Sequence, residues 1–360
     1  MWRKIVRGIG FLLAVALIVA YILYASHLAQ EHRATQCIED VVISIADSTE
    51  TRQFASTEQI YKHLQRSGLK IENELVDSLD AIKILDYINR NGFVREADAY
   101  VTYSGELHVN ITQHEPVMRL LCSGINSYVT KEGDVFRSPQ NASYYTAVVT
   151  GGYKPLFNAR YEGDIHSYYA KLVDDENVKL VKLGEEFVRL KSERGTFVAR
   201  RADLRKQSKR GLFESRDSYE QRKVGIGVES TECNRHIAQC DARKKELERQ
   251  QCVIEMRKKK LYERYNDFTN LINFVSRVEN DSFWSAEIVQ FIADTTSMGE
   301  ITLRLVPRSG DFIIEFGTLV EGDEKLRKLG NFYDDGLSRM GWNLYKTIDV
   351  RYNKQVICTK

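Results

Sequence analysis

The chain has 360 residues, enough for two or three domains, and its 43% of apolar residues suffices for substantial cores. A net charge of +2 hides an asymmetry: residues 185–262 hold 21 Lys/Arg against 13 Asp/Glu, so the remainder of the chain is negative. Six cysteines at this length exclude a disulfide scaffold, and four prolines exclude a Pro-rich stalk.

Gly8 to Ala25 is a run of 18 residues without a charge. As a helix it spans ~27 Å, close to the thickness of a bilayer's hydrocarbon core. Arg3, Lys4 and Arg7 precede it, so the positive-inside rule predicts a cytoplasmic tail over 1–7 and a membrane helix over 8–28. Everything beyond is then expected outside the cytoplasm. A cleaved signal peptide is the competing reading, but its apolar core would be long and "YASHLAQ" is a poor cleavage site. The anchor places the basic excess away from chromosomal DNA, and no nucleic-acid partner is expected.

A first folded unit is predicted over 37–115. Val41 to Ala46 is β-branched and reads as a strand. Ser56-Thr-Glu-Gln59 is a capping-box pattern, followed by Ile60, Tyr61 and Leu64 at helical spacing up to Gly68. A second helix is expected from about Ser78 to Arg90, with Leu79, Ile82, Leu85 and Ile88 on one face and Asn91-Gly92 as its stop. Ala97, Ala99, Val101 and Tyr103 then alternate, Ser104-Gly105 turns, and Leu107, Val109 and Ile111 alternate again. The order β-α-α-β-β predicts a small sheet with two helices on one side. His114-Glu115 before Pro116 has no second ligand in register and reads as a junction, where a strand leaves one sheet for another.

A second β region begins at 116 and is predicted to run to 165. "SYVTKEGDVF" is a hairpin turning at Lys131–Asp134, and "YTAVVTG" is another strand. Residues 166–262 change to a long, charged, helical character, with interruptions expected at "KSERGTF", "KRGLF" and "VGIGVES". The basic runs there read as a solvated helical hairpin, or as an arm for anionic lipid head groups or an acidic partner. Cys233, His236 and Cys240 share one helical face and Cys252 follows. Free thiols, a disulfide from Cys252 to either of the others, and a metal site all remain open, although the spacing lacks close Cys-x-x-Cys pairs.

The β pattern returns over 263–360 in "SAEIVQFIAD", "EITLRLVP" and "DFIIEFGT", the last two joined by a turn at Ser309-Gly310-Asp311. Leu326, Leu329, Phe332, Tyr333, Leu337 and Met340 mark one amphipathic helix. The chain then reads as a strand hairpin, with Ile348, Val350 and Tyr352 on one face and Val356 and Cys358 on one face of the returning strand. No zinc-protease motif, nucleophile elbow, P-loop or paired-carboxylate constellation is present, so neither an enzyme nor a cofactor or small-molecule substrate is expected.

These elements in this order resemble the FtsQ (DivIB) family of bitopic cell-division proteins. The resemblance rests on "NRNGFVREADAYVTYSGELHVNITQHEPVMRL", "SYVTKEGDVF", "VENDSFWSAEIVQFIADTTSMGEITLRLVPRSGDFIIEFG" and "KLRKLGNFYDDGLSRMGWNLYKTIDVRYNKQV", with residues 348–352 the most specific piece. It implies an α+β protein of the cell inner membrane: one membrane helix, a POTRA domain and a C-terminal β domain, both periplasmic. It also implies a non-enzymatic divisome scaffold whose C-terminal edge strand binds partners of the FtsB/FtsL type. Carried over by motif, the contact residues are Tyr352, Gln355, Val356, Ile357, Cys358 and Thr359, with Trp342 and Tyr345 secondary. The 166–262 segment departs from the family pattern. The alternative class is a POTRA-bearing envelope chaperone or secretion component, which would use the same strand addition on exported substrates.

Overall fold

The computed structural model describes residues 14–29, 36–46, 56–137, 144–297, 299–342 and 344–360. Residues 14–29 form helix α1 and are exposed throughout. Among the described residues no helix is long and apolar enough to cross a membrane. The expected tail over 1–7 and the first part of the expected membrane segment, 8–13, lie outside those residues.

The first unit follows from two caps and two alternations. Ser56 and Gln59 form the capping box that starts α2 (Thr57–Arg66), and Ile60 and Leu64 face inward from it. Asp80 accepts from the Lys83 N–H at 3.1 Å and starts α3 (Ala81–Asn89) about three residues later than the expected Ser78. That start corrects the predicted face. Ile84 and Ile88 are buried while Ile82 is 73% exposed, because the preceding Val76–Ser78 is a separate 3-10 turn that takes Leu79 out of the helix. Strand β3 (Glu106–Gln113) lies between β1 (Asp40–Ala46), parallel to it, and β2 (Val94–Val101), antiparallel. Leu107, Val109 and Ile111 on β3 are fully buried against the helices' apolar residues. Tyr103 does not share that face. The strand ends at Val101, and Tyr103 rides exposed on the turn closed by Gly105 N–H donating to Thr102 O.

The passage to the second sheet is tight. The His114 N–H donates to Phe93 O at 2.9 Å, and the His114 ring stacks on Phe136 with centroids 5.2 Å apart. A Cβ on Gly92 would lie 2.9 Å from the Phe136 Cβ, closer than side chains approach, so glycine is required at the helix end. Pro116 opens β4 (Pro116–Cys122) at the strand's first residue, where a missing N–H is tolerated.

A ten-stranded sheet follows. The remaining strands are β5 (Ser127–Thr130), β6 (Asp134–Arg137), β7 (Ala147–Gly151), β8 (Gly163–Asp164), β9 (Ile288–Thr295), β10 (Ile301–Pro307), β11 (Ile313–Gly317), β12 (Thr347–Asp349) and β13 (Ile357–Thr359). Their spatial order is β13-β12-β11-β10-β9-β7-β4-β5-β6-β8. The inward residues of β4, β7, β9, β10 and β11 share one core with the last turns of α5 (Arg216–Asn280), the short α6 (Ser282–Glu287) and α7 (Gly322–Phe332). The predicted amphipathic helix is continuous but not uniform. A π turn, Tyr333–Leu337, joins α7 to α8 (Ser338–Met340), and Tyr333 and Leu337 keep their inward direction through it.

Between β8 and α6 the chain makes an antiparallel helical arm of α4 (Ile165–Gln207) and α5. Only "KRGLF" breaks it. "KSERGTF" and "VGIGVES" are helical, since an isolated glycine costs a helix only about 1 kcal/mol and long neighbours outvote it. Cys233, Cys240, Leu247 and Ile254 recur every seven residues along the buried seam of α5, the spacing of a coiled coil. Arg194–Asp241 (2.7 Å), Arg200–Glu229 (2.9 Å) and Arg243–Glu186 (2.7 Å) pair across it and converge on the 208–215 turn. Of the three alternatives left open for these cysteines, this continuity removes the disulfide, which required a returning Cys252. That residue lies on the same helix, ~18 Å along the axis from Cys240. All six thiols are free, Cys252 is exposed, and burial raises the Cys240 thiol's pKa. The His236 ring stacks on Phe197 at 4.4 Å instead of joining a metal cluster; among the described residues there is none.

Candidate partner-binding edge

Strand β12 is held in place from one side and from below. It runs parallel to β11, pairing Ile313 with Thr347, Ile314 with Ile348 and Glu315 with Asp349. Ile348 and Val350 are fully buried, so this segment is anchored by its apolar residues in the core. Strand β13 then pairs antiparallel with β12 through Thr347–Thr359, Ile348–Cys358 and Asp349–Ile357. It is the end strand of the sheet, with β12 as its one neighbour among the described strands. An end strand leaves a row of backbone N–H and C=O groups without sheet partners.

The hairpin is shorter than its alternation suggests. Pairing stops after Asp349, and residues 350–356 form the connection, with Lys354 at a left-handed φ of 59°. Consequently Tyr352 does not continue the buried face of Ile348 and Val350. It is 46% exposed on the connection, and Gln355, three residues on, is exposed as well. Val356 and Cys358 are half-buried and packed on the core, whereas Ile357 points outward at 40% exposure and Thr359 is exposed. The predicted residues thus divide: Tyr352, Gln355, Ile357 and Thr359 present themselves to solvent, and Val356 and Cys358 fasten the strand. Trp342 and Tyr345 lie before β12, half-buried. The Trp342 ring meets Tyr333 edge-on at 5.2 Å, and Tyr345 leans on Phe332 at 6.4 Å.

Two polar devices fix this edge. Asp349 accepts the Arg351 backbone N–H at 3.0 Å and takes its guanidinium at Nε (3.0 Å) and Nη2 (2.6 Å). Burial pushes the Asp349 carboxyl's pKa up, but the Arg351 hydrogen bonds and charge, with Lys328 behind them, outweigh it and hold it below the usual carboxylate range. The Arg351 stem lies where a Cβ on Gly317 would be, 2.8 Å away, so the side chain can cross β11 only over a glycine. Lys328 of α7 donates to the carbonyls of Val350 (2.7 Å) and Tyr352, tying the connection to the helix. The Asp349–Arg351 alternation is visible in the sequence as two charges on one strand face. Lys328 carries no such signal, because its partners are backbone atoms 22 and 24 residues away.

Residues 243–359 match the family model described as FtsQ/DivIB, C-terminal related, and residues 35–112 match the one described as POTRA-like domain. The first match covers the sheet from β9 onward with both devices of the edge, and the second covers the β-α-α-β-β unit; residues 113–242 are unmatched. No curated protein matches the chain.

Proposed function

Since the chain belongs to the FtsQ/DivIB family, a family of cell-division proteins, we propose that it is a bitopic scaffold of the bacterial divisome, linking partners of the FtsB/FtsL type for septal cell-wall synthesis. Both matched domains are of a scaffold type, not an enzymatic one. In this reading residues 1–7 are cytoplasmic, residues 8–28 cross the inner membrane, and the two β-containing domains stand in the periplasm. The uncharged run from Gly8 to Ala25 after three basic residues supports that topology.

The observation that carries the partner role is the open side of β13. A partner strand pairing there would gain backbone hydrogen bonds, while Ile357, Thr359 and Tyr352 read its side chains and Tyr345 and Trp342 border the approach. Two or three such bonds, each contributing about 1 kcal/mol net, correspond to roughly 30- to 150-fold in affinity.

The test is binding of the full chain, held in nanodiscs, to the FtsB–FtsL pair. Ile357→Lys places a charge on the outward face, the device natural edges use against strand addition. It is expected to weaken binding at least tenfold with the melting of the sheet domain unchanged. Val356 is unsuitable for this purpose because it packs on the core. Undiminished binding by the Ile357→Lys chain refutes the edge as the contact, and normal septation in cells depleted of the protein refutes the division role.

A further inference from the structure

The far end of the helical arm has a built turn that displays apolar residues to solvent. Leu212 and Phe213 are 99% and 102% exposed, side by side, in the turn between α4 and α5. Disorder does not account for their position, because the turn is fastened on every side. Arg222 donates to the carbonyls of Gln207 and Lys209 and to both carboxylate oxygens of Glu214, at 2.8 and 2.6 Å. The same Glu214 accepts the Gly211 N–H at 3.0 Å, and the Arg210 guanidinium donates to the Glu214 carbonyl at 3.0 Å. In the last turn of α4, eight residues before Leu212, Leu204 is buried in the seam. A chain that needed to hide two large apolar side chains could fold them back onto that seam; this turn spends its hydrogen bonds keeping them out.

The charge around the pair is predominantly positive. Over residues 203–217, Arg205, Lys206, Lys209, Arg210 and Arg216 stand against Asp203, which pairs with Lys206, Glu214, which Arg222 already engages, and Asp217. Lys209 and Arg216 have no ion-pair partner among the described residues. The 43-residue α4 leads away from the core that contains Ile165, so the tip stands ~65 Å along the helix from the sheet. An apolar wedge ringed by cations at the end of a stiff lever matches the layered chemistry of an anionic bilayer, with negative head groups outside and hydrocarbon a few ångströms below.

We propose that Leu212 and Phe213 insert into the interface of an anionic lipid bilayer, with Lys209, Arg210 and Arg216 on the head groups. The arm thereby becomes a second membrane attachment, additional to the proposed N-terminal anchor and independent of the β13 edge.

The full chain carrying Leu212→Trp, or separately Phe213→Trp, is reconstituted into vesicles containing phosphatidylglycerol, with the unsubstituted chain as background for Trp2, Trp284 and Trp342. Lipids brominated in the acyl chains are placed either in the host vesicles or in a second population added afterwards. Quenching of most of the added emission, with a shift to the blue, is expected in one of the two arrangements. The host arrangement identifies the chain's own bilayer and the added vesicles an opposing one. Lys209→Glu with Arg210→Glu is expected to abolish the quenching, as is replacement of phosphatidylglycerol by phosphatidylcholine, since each basic residue near an anionic surface contributes about fivefold in partitioning. Emission from both positions that stays solvent-like and ignores bromine in both arrangements overturns the proposal, and is what a tip made for a protein pocket would give. Quenching that is equal in neutral vesicles overturns the head-group role. Neither result touches the binding measured at Ile357.

Discussion

Asp349 and Arg351 show how one side-chain pair can serve a surface that neither of them forms. Asp349 is nearly buried, and its carboxylate holds both the backbone and the guanidinium of Arg351 at the point where β12 gives way to the connection. Its folded-state pKa lies below the unfolded value of about 3.9. The stabilisation is therefore fully present above that value and lost as pH falls through the folded pKa. Arg351 is half-exposed, so screening limits the pair, and Asp349→Asn is expected to cost about 1 kcal/mol at pH 7. Thermal melts of the parent and the variant should differ at pH 7, begin to approach one another near pH 4 and converge only as the pH falls through the lowered folded-state pKa. A difference that persists undiminished into acid would assign the effect to packing rather than charge.

At the scale of elements, the arm is the place where sequence and structure part most clearly. Gly195, Gly225 and Gly227 suggest breaks, yet each sits inside a helix with open space where a Cβ would be. Their only effect is on propensity, and replacing each by Ala is expected to stabilise the arm by about 0.5–1 kcal/mol. Amide exchange in the surrounding turns should slow by up to about fivefold per substitution. Faster exchange would mean that the glycines serve a bend. The same locality explains what was legible. The capping box at Ser56, the alternation of Leu107, Val109 and Ile111, and the turn at Lys131–Asp134 are all local signals, and each lies where the pattern places it. The direction of Ile82 and Tyr103 was not legible, because it depends on where a helix or strand ends, by one or two residues. Of the candidate edge, the buried pair Ile348–Val350 followed from alternation. The exposure of Tyr352 followed from Lys328 and Lys354 turning the chain, which no periodicity records.

For the whole molecule, the question is whether the arm belongs to the fold or is mounted on it. The buried residues of the sheet domain and of the β-α-α-β-β unit form two large clusters and a small one of Tyr128 with Phe136, and Leu204, Cys233, Ile237, Cys240, Leu247 and Ile254 belong to none of them. The arm's seam is a separate body of contacts that stacks along one axis, as a coiled coil does, with each turn supported by its neighbours. At its base Lys258 donates to the Asn177 side chain at 2.7 Å, so the two helices there are already in contact, ~8–10 Å between axes. Four residues reach up to ~14 Å and can close that gap. Replacing 178–257 by such a link removes the seam and leaves Phe268, Leu271, Phe274 and Val278 of α5 in the sheet core. The shortened chain is expected to melt within a few degrees of the parent and to match it in the proposed binding to the FtsB–FtsL pair, because β11, β12, β13 and α7 are untouched. It should also lose any response to brominated lipid that the Leu212 and Phe213 positions report. If the shortened chain fails to fold, the arm's seam and the sheet core are one cooperative unit, and the last turns of α5 need the full length of the helix to reach their place over the sheet.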